Sequence, residues 1–176
     1  HGSRPWITKF NAQVSDRRWV EPLVAVYRLH ERLEATFQGV TPQAEIALIE
    51  PLETLRRRGG PAAEAIEREA RGFYQALVEA RLPFDMVAER EMTAERLAPY
   101  RLLLLPDVQC LSSSLCELLE RFVDGGGRLV ASLECARRDE HGAARDASPL
   151  AALFGLADIG PRTDALRNTY VTIDPT

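Results

Sequence analysis

Residues Arg101 to Gly155 read RLLLLPDVQCLSSSLCELLERFVDGGGRLVASLECARRDEHGAARDASPLAALFG, and the four leucines ended by Pro106 constrain the fold most. An apolar run without alternation fits a strand covered on both faces, as in a parallel sheet flanked by helices. A helix is expected next, from Ser113 or Ser114 to about Val123. Ser114 and Glu117 have capping-box spacing, and Leu115, Leu118, Leu119, Phe122 and Val123 share a face. Gly125, Gly126 and Gly127 stop it, since glycine takes a left-handed cap without steric cost. A second buried strand, Arg128 to Leu133, then ends at Glu134 and Cys135.

The same alternation extends upstream. AEIALIE (Ala44 to Glu50) is expected as a strand, followed by a polar loop, LETLRRRGGP, with Pro61 opening a helix. That helix buries Ala62, Ile66, Ala70, Phe73 and Leu77. FDMVAE (Phe84 to Glu89) is the next strand, and Thr93 caps a short helix over Ala94 to Ala98. Downstream, Ser148 caps a short helix over Pro149 to Phe154, and TYVTI (Thr169 to Ile173) reads as an edge strand. Strands and helices in this order predict an α/β fold with a mainly parallel, doubly wound sheet.

The first 43 residues break that pattern. His1, Gly2 and Ser3 have the look of a cloning remnant, and a chain without an initiator methionine suggests a piece of a longer protein. From Asp16 to about Gln38, Trp19, Leu23, Val26, His30, Leu33 and Phe37 recur at helical steps, with Pro22 tolerable only in the first turn. Residues 4–43 therefore read as a helical arm and 44–176 as the α/β domain. His30, on that stripe, is expected as a satisfied, partly buried histidine instead of a metal ligand.

Composition narrows the function classes. With 45% hydrophobic and 27% charged residues the chain is globular, and no apolar run approaches the ~20 residues that span a bilayer. A net charge of −4 argues against nucleic acid as a partner. Three cysteines, Cys110, Cys116 and Cys135, form no even framework and no CxxC, so a reducing cytoplasmic setting is expected and structural zinc is not.

The ordered series EIALIE, GFYQALVEARLPFDMVAE and YRLLLLPDVQCLSSSLCELLERFVDGGGRLVAS resembles the glutamine-amidotransferase-like domain that serves β-galactosidases as their trimerisation domain. It is more closely similar to the related domain that follows the (β/α)8 barrel in glycoside hydrolases. LECARRDEHGAARDASPLAALFGL continues the likeness, and the arm is similar to the segment joining barrel to domain. The resemblance implies a flavodoxin-like three-layer α/β/α sandwich of the class I glutamine amidotransferase type. It implies a role in oligomerisation and in packing beside the catalytic barrel, with no cofactor. In one place the chain departs from the family: EARLP carries Arg81 where the family has glycine, so this helix is expected to end differently.

Working amidotransferases of this fold hold a nucleophilic cysteine in a G-x-C-x-G turn with a late His and Glu. Here SLECARRD offers Cys135 without flanking glycines, and the only later histidine is His141, six residues on. Cys135, with Glu134 and His141, is the catalytic candidate of an alternative reading, an amidotransferase-superfamily enzyme. A third reading is a carbohydrate- or metabolite-binding module at the strand ends, where Glu134 could contact sugar. Glu134 with Asp139 and Glu140 could also pair as glycosidase acids, but Arg137 and Arg138 beside them favour ion pairing. RRRGG (Arg56 to Gly60) lacks a phosphate-loop pattern and reads as a flexible surface loop.

Overall fold

The computed structural model describes residues 16–39 and 43–156, and only the backbone of Phe37. The chain divides into two units, residues 1–43 and 44–176. In the first, helix α1 spans Val20–Phe37. It starts at Val20 and not at Asp16, because Asp16 first turns the chain. Its carboxylate accepts the N–H of Arg18 at 3.0 Å and its carbonyl accepts the Trp19 indole N–H at 2.7 Å. Pro22 thus falls in the first turn, where its missing N–H breaks no helical bond. Leu23 is half-buried, whereas Trp19, Val26, His30 and Leu33 are exposed. His30 is therefore not the partly buried histidine expected, since the stripe has no cover among the described residues of its own unit.

The second unit holds a four-stranded, all-parallel sheet, β1 (Ile46–Glu50), β2 (Asp85–Ala88), β3 (Leu102–Leu105) and β4 (Arg128–Ala131), in the order β2-β1-β3-β4. That is the flavodoxin-like order, with its reversal between β1 and β3. Helix α3 (Gly60–Glu79) covers one face through Phe73 and Leu77, which pack with Leu48 and Leu104. On the other face Ala47, Ile49, Val87, Leu103 and Leu105 meet Leu97 of α4 (Ala94–Leu97) and Cys116 and Leu119 of α5 (Ser113–Asp124). Three layers result. The leucine run is buried because both faces of β3 are covered.

Several boundaries depart from the sequence reading. The expected polar loop after β1 is a helix, α2 (Leu52–Arg58), which overturns the surface-loop reading of Arg56 to Gly60. Its leucines and arginines are good helix formers, and only Gly59 and Gly60, both at positive φ, break the chain. Thr93 does cap α4, accepting the N–H of Arg96 at 3.1 Å. In α5 the cap is Ser112 and not Ser114: Ser112 Oγ accepts the N–H of Leu115 at 3.2 Å and contacts Ser114 Oγ at 2.9 Å. Strand β4 ends at Ala131, with alternate residues exposed, because it is the outermost described strand on that side. Ser148 does not cap a helix; its hydroxyl donates to the Cys135 carbonyl at 3.0 Å, and a 3₁₀ turn follows over Ala151–Phe154. The expected strand Thr169 to Ile173 lies outside the described residues.

Two helices end alike on different residues. Gly126 follows α5 at φ 93°, and the N–H groups of Gly126 and Gly127 reach back to the carbonyls of Val123 and Phe122. Arg81 follows α3 at φ 55°, and the N–H groups of Arg81 and Leu82 reach back to Val78 and Leu77. Both are Schellman endings. The α3 helix therefore ends in the ordinary way and carries an arginine in the glycine position, against the expectation from its sequence.

Candidate functional site

In open α/β sheets ligands sit outside the carboxyl ends of the strands, at the point where strand order reverses. Here that edge carries the buried polar residues Thr54, Glu89, Asp107 and Gln109. Two networks occupy it.

The first centres on Glu89, which leaves β2 in a 3₁₀ turn, Glu89–Glu91. Its Oε2 accepts the backbone N–H of Glu53 at 2.5 Å, and its Oε1 accepts the Thr54 hydroxyl at 2.8 Å. Thr54 Oγ1 in turn accepts the N–H of Cys110 at 3.0 Å. A single carboxylate thereby ties the start of α2, the end of β2 and the loop after β3. It also takes the N-terminal amides of α2, the donors that a phosphate would use in a nucleotide fold. Burial pushes the Glu89 carboxyl up to about 7, against the opposing pull of the Thr54 and Glu53 hydrogen bonds.

The second network centres on Asp107, just past β3, in the left-handed region at φ 48°. Its Oδ1 accepts the N–H of Glu134 at 3.1 Å and its Oδ2 accepts Gln109 Nε2 at 3.0 Å. Its own N–H donates to Ser132 Oγ at 3.1 Å. The end of β4 is thus stitched to the end of β3. Gln109 Oε1 is buried without a hydrogen-bond partner among the described residues.

The residues singled out in the sequence are not brought into a catalytic array. Cys135 is buried in the main core cluster, and burial drives its thiol far above the ordinary range. An inert neutral thiol is the consequence. His141 is exposed, its Nε2 3.8 Å from Glu140 Oε1, and no hydrogen bond joins it to Cys135 among the described residues. A nucleophile elbow places its nucleophile in the strained position after the strand. After β4 the residues at positive φ are Leu133 (φ 52°), which is 52% exposed, and the buried Ala136 (φ 56°), and Cys135 between them is neither.

Glu134 is half-buried with its N–H held by Asp107, and its carboxylate has no ion pair or hydrogen bond among the described residues. Nor do Arg137 and Arg138 pair with the acids beside them, as expected. They donate to the carbonyls of Asp146 at 3.2 Å and Gly142 at 2.9 Å. Asp139 accepts the N–H groups of His141 and Ala143 at 2.9 and 2.8 Å, and the Ala143 bond foremost holds its carboxyl below the usual range. Loop closure wins over ion pairing here, because backbone groups left unpaired cost more than solvated charges. No group of three His, Cys, Asp or Glu is placed to hold a metal among the described residues.

Sequence reasoning singled out Glu134 and passed over Glu89 and Asp107. The missed signal was simple: each strand ends in a carboxylate or is followed by one within a few residues, at Glu50, Glu89, Asp107 and Glu134.

The family described as the β-galactosidase trimerisation domain matches residues 46–173. Among solved structures, β-galactosidase from Rahnella sp. R3 is 22% identical over 80% of this chain and 21% of its own, with TM-score 0.67. That from Bacillus circulans sp. alkalophilus is 21% identical over 77% of this chain and 20% of its own, with TM-score 0.66. That from Bifidobacterium adolescentis is 22% identical over 65% of this chain and 55% of its own, with TM-score 0.54. At this identity the likeness is one of fold, and the chain spans about a fifth of the first two. None of the curated protein sequences matches the chain. Strand order, layers and the match over most of the length agree, and the chain belongs to the β-galactosidase trimerisation domain family.

Proposed function

We propose that the α/β unit is a non-catalytic assembly module of a glycoside hydrolase, packing beside a (β/α)8 barrel and holding three copies together. Residues 4–43 would form the arm that leads from the barrel. The observation that carries this reading is the closure of the strand ends: Glu89 fills the start of α2 and Asp107 binds the end of β4. The edge where this fold keeps its chemistry is spent on internal hydrogen bonds. The similar solved structures are β-galactosidases, which supports a galactoside-cleaving parent.

Under this reading Cys135, Glu134 and His141 carry no chemistry, and the three unpaired cysteines suit a reducing cytoplasm. No helix among the described residues is long and apolar enough to cross a membrane. Assaying the purified chain for glutamine hydrolysis and for cleavage of a chromogenic galactoside tests it. No turnover of either is expected, and turnover abolished by Cys135→Ser would overturn it.

A second reading has one observation in its favour. Among the described residues Glu134 keeps a carboxylate without a partner at the end of β4, suited to a sugar hydroxyl of a neighbouring barrel. In the parent enzyme, Glu134→Gln should then raise KM for a galactoside and leave assembly intact.

A further inference from the structure

Among the described residues, helix α3 covers the middle of its sheet face and leaves both flanks open. In the register of the sheet, Leu48 lies beside Met86 and Leu104 lies beside Val130, all on the α3 side. Leu48 and Leu104 are 2% and 7% exposed, whereas Met86 and Val130 are 45% and 44% exposed. Among the described residues the cover stops one strand short on each side.

The two flanks differ in shape and charge. On the β2 side the floor opens into a groove of about 350 Å³ between α2, α3 and β1, lined by Leu52, Leu55, Tyr74 and Met86 and rimmed by Glu50 and Glu67. Leu52, Tyr74 and, one turn on, Val78 are exposed there. Neither glutamate has an ion pair among the described residues, and Arg71 lines the same wall. On the β4 side the surface is a strip, Val130 with Arg128 two residues before it on the same face. Arg128 is exposed and has no ion pair among the described residues. One flank is a concave apolar groove with acidic edges; the other is an apolar strip with a guanidinium.

A ring of three requires such a pair. Threefold symmetry cannot be closed by one patch meeting itself; each copy must present two different surfaces, one to each neighbour. Resting on the assembly reading above, we propose that the β2-side groove of one copy receives the β4-side strip of the next, head to tail. Val130 enters beside Met86 and Tyr74, and Arg128 meets Glu50 and Glu67. Burying these apolar groups supplies affinity, and the charges fix which flank meets which.

The test uses the whole chain. Met86→Cys and Val130→Cys both place a thiol on an exposed site, and the native cysteines are buried. Under mild oxidation the double variant should give covalent species up to the trimer on a non-reducing gel, while each single variant stays a single band. Arg128→Glu should weaken association at least tenfold, and adding Glu67→Arg should restore it. Cross-linked dimers from either single variant would mean that a flank meets itself, which overturns the proposal. A chain that sediments as an oligomer yet resists cross-linking, or ignores Arg128→Glu, assembles through another surface and also overturns it. A chain that sediments as a monomer overturns the assembly reading itself.

Discussion

Glu89 Oε2 accepts the backbone N–H of Glu53 at 2.5 Å, so a carboxylate from the end of β2 serves as the cap of a helix that follows β1. The helix has no side-chain cap of its own, since Pro51 stands where a serine or aspartate would. This long-range cap adds to the helix-forming leucines and arginines of α2 and supplies the N-terminal acceptor that its own sequence lacks.

Burial raises the Glu89 carboxyl from 4.5 to about 7, and this sets a sign for pH dependence. Between those values the folded chain holds a proton that the unfolded chain has lost. Stability contributed by Glu89 is therefore complete below 4.5 and falls as pH rises through 7, by roughly 3 kcal/mol at most. In urea denaturation at pH 5 and pH 8, Glu89→Gln should lose this part of the decline. An unchanged difference between the two pH values would contradict it.

Asp107 joins two strand ends through Glu134 and Gln109, and both donors lose their acceptor if it is removed. Asp107→Ala should cost about 2–4 kcal/mol, since each unpaired buried group costs roughly 1–3 kcal/mol. Asp107→Asn keeps one acceptor and tolerates the left-handed backbone, so it should cost less than half as much. Thermal melts of the two variants decide; equal losses would mean that the hydrogen bonds are not the cause.

Arg81 and Gly126 occupy the same position in two Schellman endings. An L side chain held at positive φ costs about 1 kcal/mol. Arg81→Gly should therefore stabilise the chain by up to about 1 kcal/mol, and Gly126→Ala should destabilise it by a similar amount. The neighbouring Gly127 is constrained by contact, because a Cβ there would lie 2.2 Å from the Phe122 ring. Gly127→Ala should cost more than Gly126→Ala in the same denaturation series.

Cys135 lies in the core with its thiol driven far up by burial, and Cys110 and Cys116 are raised for the same reason. Iodoacetamide at pH 8 should leave all three unmodified in the native chain and label them together on unfolding. Fast labelling of Cys135 alone, counted by mass spectrometry, would restore the catalytic reading.

The fold was legible where chemistry is local. The leucine run, the glycines after α5 and the Thr93 cap each act within a few residues, and strand, stop and cap lie there. What escaped was decided across the chain. Glu89 reaches Glu53 over 36 residues and caps a helix where a loop was expected. Asp107 reaches Glu134 over 27 residues and closes a strand end that looked open. Arg81 misled in a different way: its position needs a conformation that glycine prefers, yet the two hydrogen bonds of the ending hold an arginine there. The candidate site was sought at Cys135 because a thiol after a strand suggests an elbow. The strained positions belong to Leu133 and Ala136 on either side of it, a distinction that only backbone geometry reveals.

Sedimentation equilibrium of the whole chain over a hundredfold range of concentration tests the assembly reading most directly. Association towards a species three times the 19.6 kDa of one chain is the predicted result, weakening with Arg128→Glu. A single 19.6 kDa species at every concentration would contradict it.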